Sequence, residues 1–374
     1  MTTRRKRRYR AGCGTINASV SPLPAFESAR TSRAIDEAIH AIPAEWFRPS
    51  RAMYWTDLLL SAAVGWSAFA IAVAATRWHR IALLPIIIFA LYRAVLFIHE
   101  ITHRARRDVP AFTLVWNVLI GVPLLIPSFL YEGVHTDHHR QRCYGTEADP
   151  EYVPFGRRPP LLIIGCALAA LVTPVAFAVR FGILAPLSWV VPALRRPISE
   201  RYSALVINPR YVRRGPIGLV GRVQETAAFG VVWASVGLWW IGIVPPAAFF
   251  CWFVASAAAS GINAVRTLAA HRYDRDSGEL SMTEQLLDSC TIAFTGGRLT
   301  RLADAGRVLV APVGLRYHAL HHWIPSLPYH NLGRVHRLLA ATLAPDAAYH
   351  ATVERGFSPA LHDLLRRSRA HSGA

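Results

Sequence analysis

Charged side chains are scarce in this chain of 374 residues, and lysine is almost absent among them. Only 17% of the residues are charged, whereas 53% are hydrophobic, and nearly all of the 41 basic residues are arginines. Ordinary soluble domains carry about 25% charged residues, so this composition excludes a disordered chain and favours a membrane protein. The 23 acidic residues leave a net charge of +18. Because long apolar segments leave little surface for a basic groove, we expect anionic lipid head groups, and no nucleic acid, as the counter-charge.

Closely spaced cysteines and a secretion signal are also missing. The five cysteines are scattered, at Cys13, Cys143, Cys166, Cys251 and Cys290. An odd number without short spacings argues against a disulfide framework and against a thiolate metal cage. No apolar run directly follows the basic start MTTRRKRRYR, so no cleavable signal peptide is expected. We interpret residues 1–54 as a basic arm on the cytoplasmic side.

Apolar runs dominate the remainder, and about 20 apolar residues are enough to span a bilayer as a helix. The runs lie at 55–75, 81–98, 111–130, 161–179, 227–244 and 246–265. The third run contains Asn117, Pro123 and Pro127, so it either crosses the membrane or returns to the same side as a re-entrant hairpin. A shorter run, 181–194, could likewise cross or re-enter. The sequence therefore predicts an all-α, polytopic membrane helical bundle over 55–340 and a cytoplasmic tail at 341–374.

Arginines mark the side on which the loops lie. Those that flank apolar segments are Arg104, Arg106, Arg107, Arg157, Arg158, Arg195, Arg196, Arg213, Arg214 and Arg222. The positive-inside rule places such loops in the cytoplasm, and they outnumber Arg77 and Arg80 in the first short loop. We expect a multi-pass protein of the cell (inner) membrane with its active site and both termini in the cytoplasm.

Eight of the sixteen histidines fall into three short clusters. These are His99 and His103; His135, His138 and His139; and His318, His321 and His322. On a helix, residues three and four apart share a face, so each cluster directs several imidazoles one way. Imidazole binds zinc, iron, copper and nickel, and eight ligands exceed the four of a single tetrahedral site. The spacing predicts a di-metal histidine site in a cytoplasmic helical cap.

Further side chains extend this candidate site. His271 lies just beyond the last apolar run, where a continued helix would bring it to the depth of the clusters, although a lone interfacial histidine is the alternative. Glu100, Asp137 and Asp149 are candidates for orienting imidazoles through their second ring nitrogen. Surface acids would look the same in sequence.

The three histidine motifs follow one another in the order HxxxH, HxxHH, HxxHH, with paired membrane helices between them. This arrangement resembles the membrane-bound fatty acid desaturase family, which includes lipid and carotenoid hydroxylases and ketolases. The resemblance covers roughly residues 55–340. It implies that the eight clustered histidines bind two Fe ions, with O2 as co-substrate, and that His271 is a further ligand. Members with that ligand often carry Asn four residues earlier, where this chain has Thr267.

The resemblance implies an oxidoreductase that desaturates a lipid acyl chain, with hydroxylation or ketolation at the same site as the alternative. Both outcomes begin with removal of one hydrogen, so the histidine pattern does not distinguish them. Neither a haem-binding HPGG nor a flavin fingerprint GxGxxG is present. We therefore expect an external electron donor, of ferredoxin type, attracted by the basic loops.

Two interpretations of other classes remain. His99-Glu100-x-x-His103 is also the zinc peptidase motif, in which Glu is the general base, but an intramembrane peptidase would leave the remaining histidine clusters without a role. The second is a metal transporter, since intramembrane histidines can line an ion path. Against it, the histidine clusters follow the apolar segments and do not lie at their centres.

Overall fold

A computed structural model describes residues 38–275, 279–293 and 301–372. The prediction of an all-α chain with several apolar helices is confirmed. Most of the predicted N-terminal arm, residues 1–37, lies outside the described residues.

Helices of very different length follow one another along the chain. In order they are α1 (Arg51–Ala74), α2 (Arg77–Val95), α3 (Phe97–His103), α4 (Phe112–Trp116), α5 (Val134–His138), α6 (Pro160–Leu171), α7 (Thr173–Val179), α8 (Ala185–Val190), α9 (Pro192–Arg201), α10 (Leu219–Trp240), α11 (Pro246–Leu268), α12 (Met282–Asp288), α13 (Arg301–Val310), α14 (His318–Trp323), α15 (Tyr329–Thr342) and α16 (Phe357–Ser372). Single π-helical turns occupy Asn117–Gly121 and Arg180–Leu184. Short 3-10 turns lie at Ala44–Phe47, Ser128–Leu130, Phe155–Arg157 and Ala348–Thr352.

Helices α1 and α2 form the predicted hairpin. Ser50 caps α1 by accepting from the Met53 amide, which satisfies one of the free N–H groups of the first turn. The two helices approach closely at Gly65, where an added Cβ would lie 2.5 Å from a Leu91 methyl carbon. Arg93 of α2 donates to both carboxylate oxygens of Asp57. The hairpin therefore carries α3, which continues α2, to a fixed position beside the site.

Four described helical stretches are long and apolar enough to cross a membrane: Ala44–Ala74, Arg77–His103, Thr173–Val190 and Pro246–Leu268. Three of the predicted runs, 161–179, 227–244 and 111–130, differ from this result. The run 161–179 is divided at Val172, so that Pro160–Leu171 is a short helix and the spanning stretch begins at Thr173. Helix α10 starts at Leu219, before the predicted 227, and its first turns carry Arg222 and Glu225.

The run 111–130 contains no helix of spanning length. Its longest helical piece is Phe112–Gly121, about 15 Å at 1.5 Å per residue, against a hydrocarbon thickness of about 30 Å. Asn117 within this piece is a buried polar anchor, since it bonds both the amide and the hydroxyl of Ser128. Of the two paths that the sequence left open for this segment, the short helical piece favours the re-entrant one.

The chain after α11 builds the polar end of the molecule. A capping box starts α12, with Ser281 and Glu284 bonding each other's backbone amides. Two-residue strands β1 (Thr291–Ile292) and β2 (Val353–Glu354) pair in parallel. They hold the C-terminal region, including α16, against the segment that precedes the third histidine cluster.

Candidate metal centre

Each histidine cluster lies on its own short helix. The first occupies α3, the second occupies α5 with His139 as its C-cap residue, and the third opens α14. Gly133 precedes α5 with φ of 78°, a left-handed conformation that favours glycine. This turn redirects the chain into α5, so that the second cluster faces the first.

Five histidines from all three clusters form one group, in which the facing ring nitrogens all lie within 4.8 Å of one another. Its members are His99, His103, His135, His139 and His321. The Nε2 atom of His321 lies 3.1 Å from that of His103 and 3.2 Å from that of His139. Such converging nitrogens from separate helices are typical of a metal site.

The other four histidines form a second group with the same convergence: His138, His271, His318 and His322. The Nε2 atom of His318 lies 2.8 Å from that of His271 and 3.1 Å from that of His322. All four side chains are buried. The nine histidines of the two groups are the nine that the sequence predicted as ligands.

His271 joins the second group by a route that differs from the expected one. Helix α11 ends at Leu268, and His271 forms an isolated β-bridge with Ser289. The turn after the helix, not a continuation of it, therefore aims the imidazole at the site. The Thr267 hydroxyl donates to the backbone oxygen of Asn263 and accepts from Arg266.

His138 and His139 are neighbours in sequence but belong to different groups. Successive side chains on a helix point about 100° apart, so one short helix can serve both groups. The rings of His139 and His322 also stack, with centroids 4.3 Å apart. The second cluster thus bridges the two groups, and so does the third, because His321 belongs to one group and His318 and His322 belong to the other.

Buried carboxylates hold three of the imidazoles by their outward nitrogen. The Nδ1 atom of His138 bonds Asp149 at 2.8 Å, and that of His135 bonds Glu151 at 2.5 Å. His271 Nδ1 and the Tyr144 hydroxyl share a hydrogen bond of 2.9 Å, and Asp288 lies 3.6 Å from the same nitrogen. Such partners fix the ring orientation and leave Nε2 free for a metal.

The three predicted carboxylates differ in how closely they contact the imidazoles. Asp149 contacts an imidazole as expected. Glu100 accepts from Tyr54 and lies 3.9 Å from His99 Nδ1 and 3.7 Å from Arg104, so it supports the first cluster more loosely. Asp137 instead accepts from Arg140 and from Tyr211, away from the imidazoles.

Two carboxylates were missed by the sequence-based prediction. Glu151 lies in the polar stretch after the second cluster, where it follows Asp149 by two residues, and that spacing was an available signal. Asp288 ends a helix far along the chain, and no local pattern connects it with His271.

Burial strongly affects the protonation of the histidines and carboxylates of the site. Burial, and then the neighbouring imidazoles, lower the pKa of His139, His321 and His322 well below the usual value. Burial acts to lower the pKa of His138 too, but the carboxylate of Asp149 outweighs it and raises that pKa. For Asp288 burial acts to raise the pKa, and the bond with His271 outweighs it and lowers that pKa. Neutral imidazoles beside ionised carboxylates are the protonation states that metal binding requires.

The donor set fits a pair of metal ions. Several ring nitrogens of the groups are buried without a hydrogen-bond partner among the described residues, including His99 Nε2 and His138 Nε2. Buried polar atoms are nearly always satisfied, so nitrogens that face one another across each group call for a shared cation. A lone peptidase zinc is a poorer fit, because Glu100, its general base, is engaged by Tyr54 and seven further histidines would have no role.

Comparison with known proteins agrees with this geometry. A family model described as fatty acid desaturase matches residues 75–353. The chain is also 42% identical over 330 residues to a protein named ceramide hydroxylase from Caulobacter vibrioides (strain NA1000 / CB15N), a match that covers 86% of this chain and 90% of the relative. With a family model that covers most of its length and buried histidine groups able to bind metal, this chain belongs to the fatty acid desaturase family of integral membrane oxidoreductases, whose members are di-iron enzymes that act on lipids with an electron donor.

Proposed function

We propose that this protein is a di-iron, dioxygen-dependent hydroxylase of a ceramide-like lipid. The observation that carries the proposal is the division of nine histidines, seven of them buried, into two convergent groups. The 42% identity to a relative named ceramide hydroxylase favours oxygen insertion into that class of lipid over the desaturation that the histidine pattern alone suggests.

The reaction balances with one external source of electrons. A C–H bond of the lipid, one dioxygen, two electrons and two protons give a hydroxyl group and one water. Iron with dioxygen supplies an oxidant that side chains cannot provide, and the protein's own task is orientation and exclusion of side reactions.

The chain's residues perform that task through the surroundings of the site. Asp149, Glu151 and Asp288 hold the imidazoles in orientation by hydrogen bonds or close approach to their outward nitrogens. Tyr131 adds a 2.8 Å contact to His135 Nδ1 and stacks on that ring. The burial of both groups keeps bulk water away from the reacting carbon.

We further propose that the site lies at the cytoplasmic face of the inner membrane and receives electrons from a ferredoxin-type carrier. Support comes from exposed arginines that follow the first two histidine clusters, Arg107 and Arg142. An acidic carrier would be steered toward such a basic surface, and that steering weakens as salt is added.

Lipid analysis of cells that express the protein tests the proposed activity. We expect a ceramide heavier by one oxygen atom, formed by the natural protein and absent with His138→Ala. A lipid lighter by two hydrogen atoms would instead establish desaturation. Unchanged lipids in cells whose purified protein carries both metal ions would refute the proposed hydroxylation of ceramides.

A further inference from the structure

Arg266 is a buried cation beside the candidate metal centre that the proposed chemistry does not use. It lies in the last turn of α11, and only 7% of its surface is exposed. Long charged side chains are almost never fully buried unless they are paired. Its surroundings therefore require an explanation.

The hydrogen bonds of Arg266 are local and incomplete. Nη2 donates to the Asn263 side chain at 3.0 Å and to the Thr267 hydroxyl at 2.8 Å, and Nε donates to Asn263 at 3.2 Å. Nη1 is buried without a hydrogen-bond partner among the described residues. The Tyr92 hydroxyl, which donates its own proton to the backbone oxygen of Val310, is a neutral acceptor beside the guanidinium.

No carboxylate neutralises this charge among the described residues. Another buried arginine, Arg180, shows the contrast, since it forms an ion pair with Glu225 at 2.6 Å. Leaving a buried charge unpaired is strongly unfavourable, so Arg266 calls for a partner that the described residues do not supply.

Arg266 lies close to the second histidine group. It is in the last turn of α11, five residues before His271, a member of that group. The hydroxyl of Tyr273 donates to the backbone oxygen of Thr267, the residue after Arg266, and the Tyr273 ring lies 5.3 Å from the His271 ring. A partner of the guanidinium would accordingly lie beside this group, near where the reacting part of a lipid has to lie.

We propose that Arg266 is a substrate-positioning residue whose Nη1 donates a hydrogen bond to an oxygen of the lipid, a hydroxyl or an amide carbonyl. This inference rests on the proposed function and adds to it a physical basis for selectivity. A lipid with an oxygen near the attacked carbon satisfies the buried donor, whereas a plain hydrocarbon chain leaves it unpaired. The site thereby selects polar sphingoid lipids over unsubstituted chains.

Binding to the metal-free protein tests the proposal without relying on activity. The full chain in lipid nanodiscs, treated with a chelator, is titrated with a brominated ceramide and with a brominated alkane of matched length, and quenching of tryptophan fluorescence reports binding. We expect Arg266→Met to weaken ceramide binding about 10- to 100-fold and to change alkane binding by less than about threefold. Arg266→Lys, which keeps the charge and a donor, should recover part of the loss.

Controls separate this role from a structural one. Arg210→Met, at an exposed arginine paired with Glu147, should leave both affinities unchanged. The inference is overturned if Arg266→Met weakens both lipids equally or neither. Should the natural protein prefer ceramide through Arg266 yet form no oxygenated lipid when loaded with metal, the proposed function fails while the binding role stands.

Discussion

Single carboxylates decide how well the imidazoles are held. The side chain of Asp149 is fully buried, where it contacts His138 Nδ1 through both oxygens and accepts the backbone amides of Gly145 and Glu151. A partner of this kind fixes the tautomer and raises the basicity of the ligand nitrogen. Asp137, one residue before His138, makes no such contact.

We therefore expect Asp149→Asn to lower metal affinity by about 10- to 100-fold, because the amide cannot replace both carboxylate oxygens. Titration of the apo protein with metal, followed by competition with a chelator, measures this. Asp137→Asn is the matched control and should retain its affinity. Equal losses in the two variants would refute the selective role of Asp149.

At the scale of elements, one buried acid ties three segments together. Glu225 of α10 accepts from Arg180 of the π-helical turn at 2.6 Å and from Arg195 of α9 at 2.7 Å, and its side chain is 1% exposed. Removing one partner of a buried ion pair leaves an uncompensated charge. This contact fixes the interrupted stretch 173–201 against α10.

Glu225→Gln should destabilise the protein by about 3–5 kcal/mol, seen as a lower thermal unfolding midpoint in detergent. Glu200→Gln removes a solvent-exposed pair with Arg196 and should cost less than about 1 kcal/mol. If the two midpoints fall by the same amount, the ion pairs of Glu225 do not stabilise this region.

At this scale, the sequence predicts those features of the site that depend on a local residue pattern. The spacing within HxxxH and HxxHH depends only on helix geometry, so it was predictable that histidines four residues apart, such as His99 with His103 and His318 with His322, share a group. The division of His138 from His139 between two groups depends on where α3 and α14 pack, and Asp288 meets His271 through a bridge between distant segments. Such contacts arise from tertiary packing and leave no periodic signal.

At the scale of the whole molecule, the histidine groups make stability depend on pH. The lowered pKa values of His135, His139, His318, His321 and His322 mean that the unfolded chain binds more protons than the folded one below about pH 6.5. Stability then falls as pH falls, and the raised pKa of His138 opposes this only in part.

The metal-free protein should accordingly show a thermal unfolding midpoint that decreases from about pH 7 to about pH 5. His139→Ala removes one of the contributing groups, so its midpoint should decrease less steeply over the same range. A midpoint that rises on acidification would contradict the assignment of neutral, buried imidazoles.

The central claim is that three distant segments converge on two metal ions, and metal content per chain tests it most directly. The purified natural protein should contain two irons, while His138→Ala and His139→Ala should each retain only one, because the neighbouring residues belong to different groups. A single zinc that persists in both variants and disappears with His99→Ala would contradict the account.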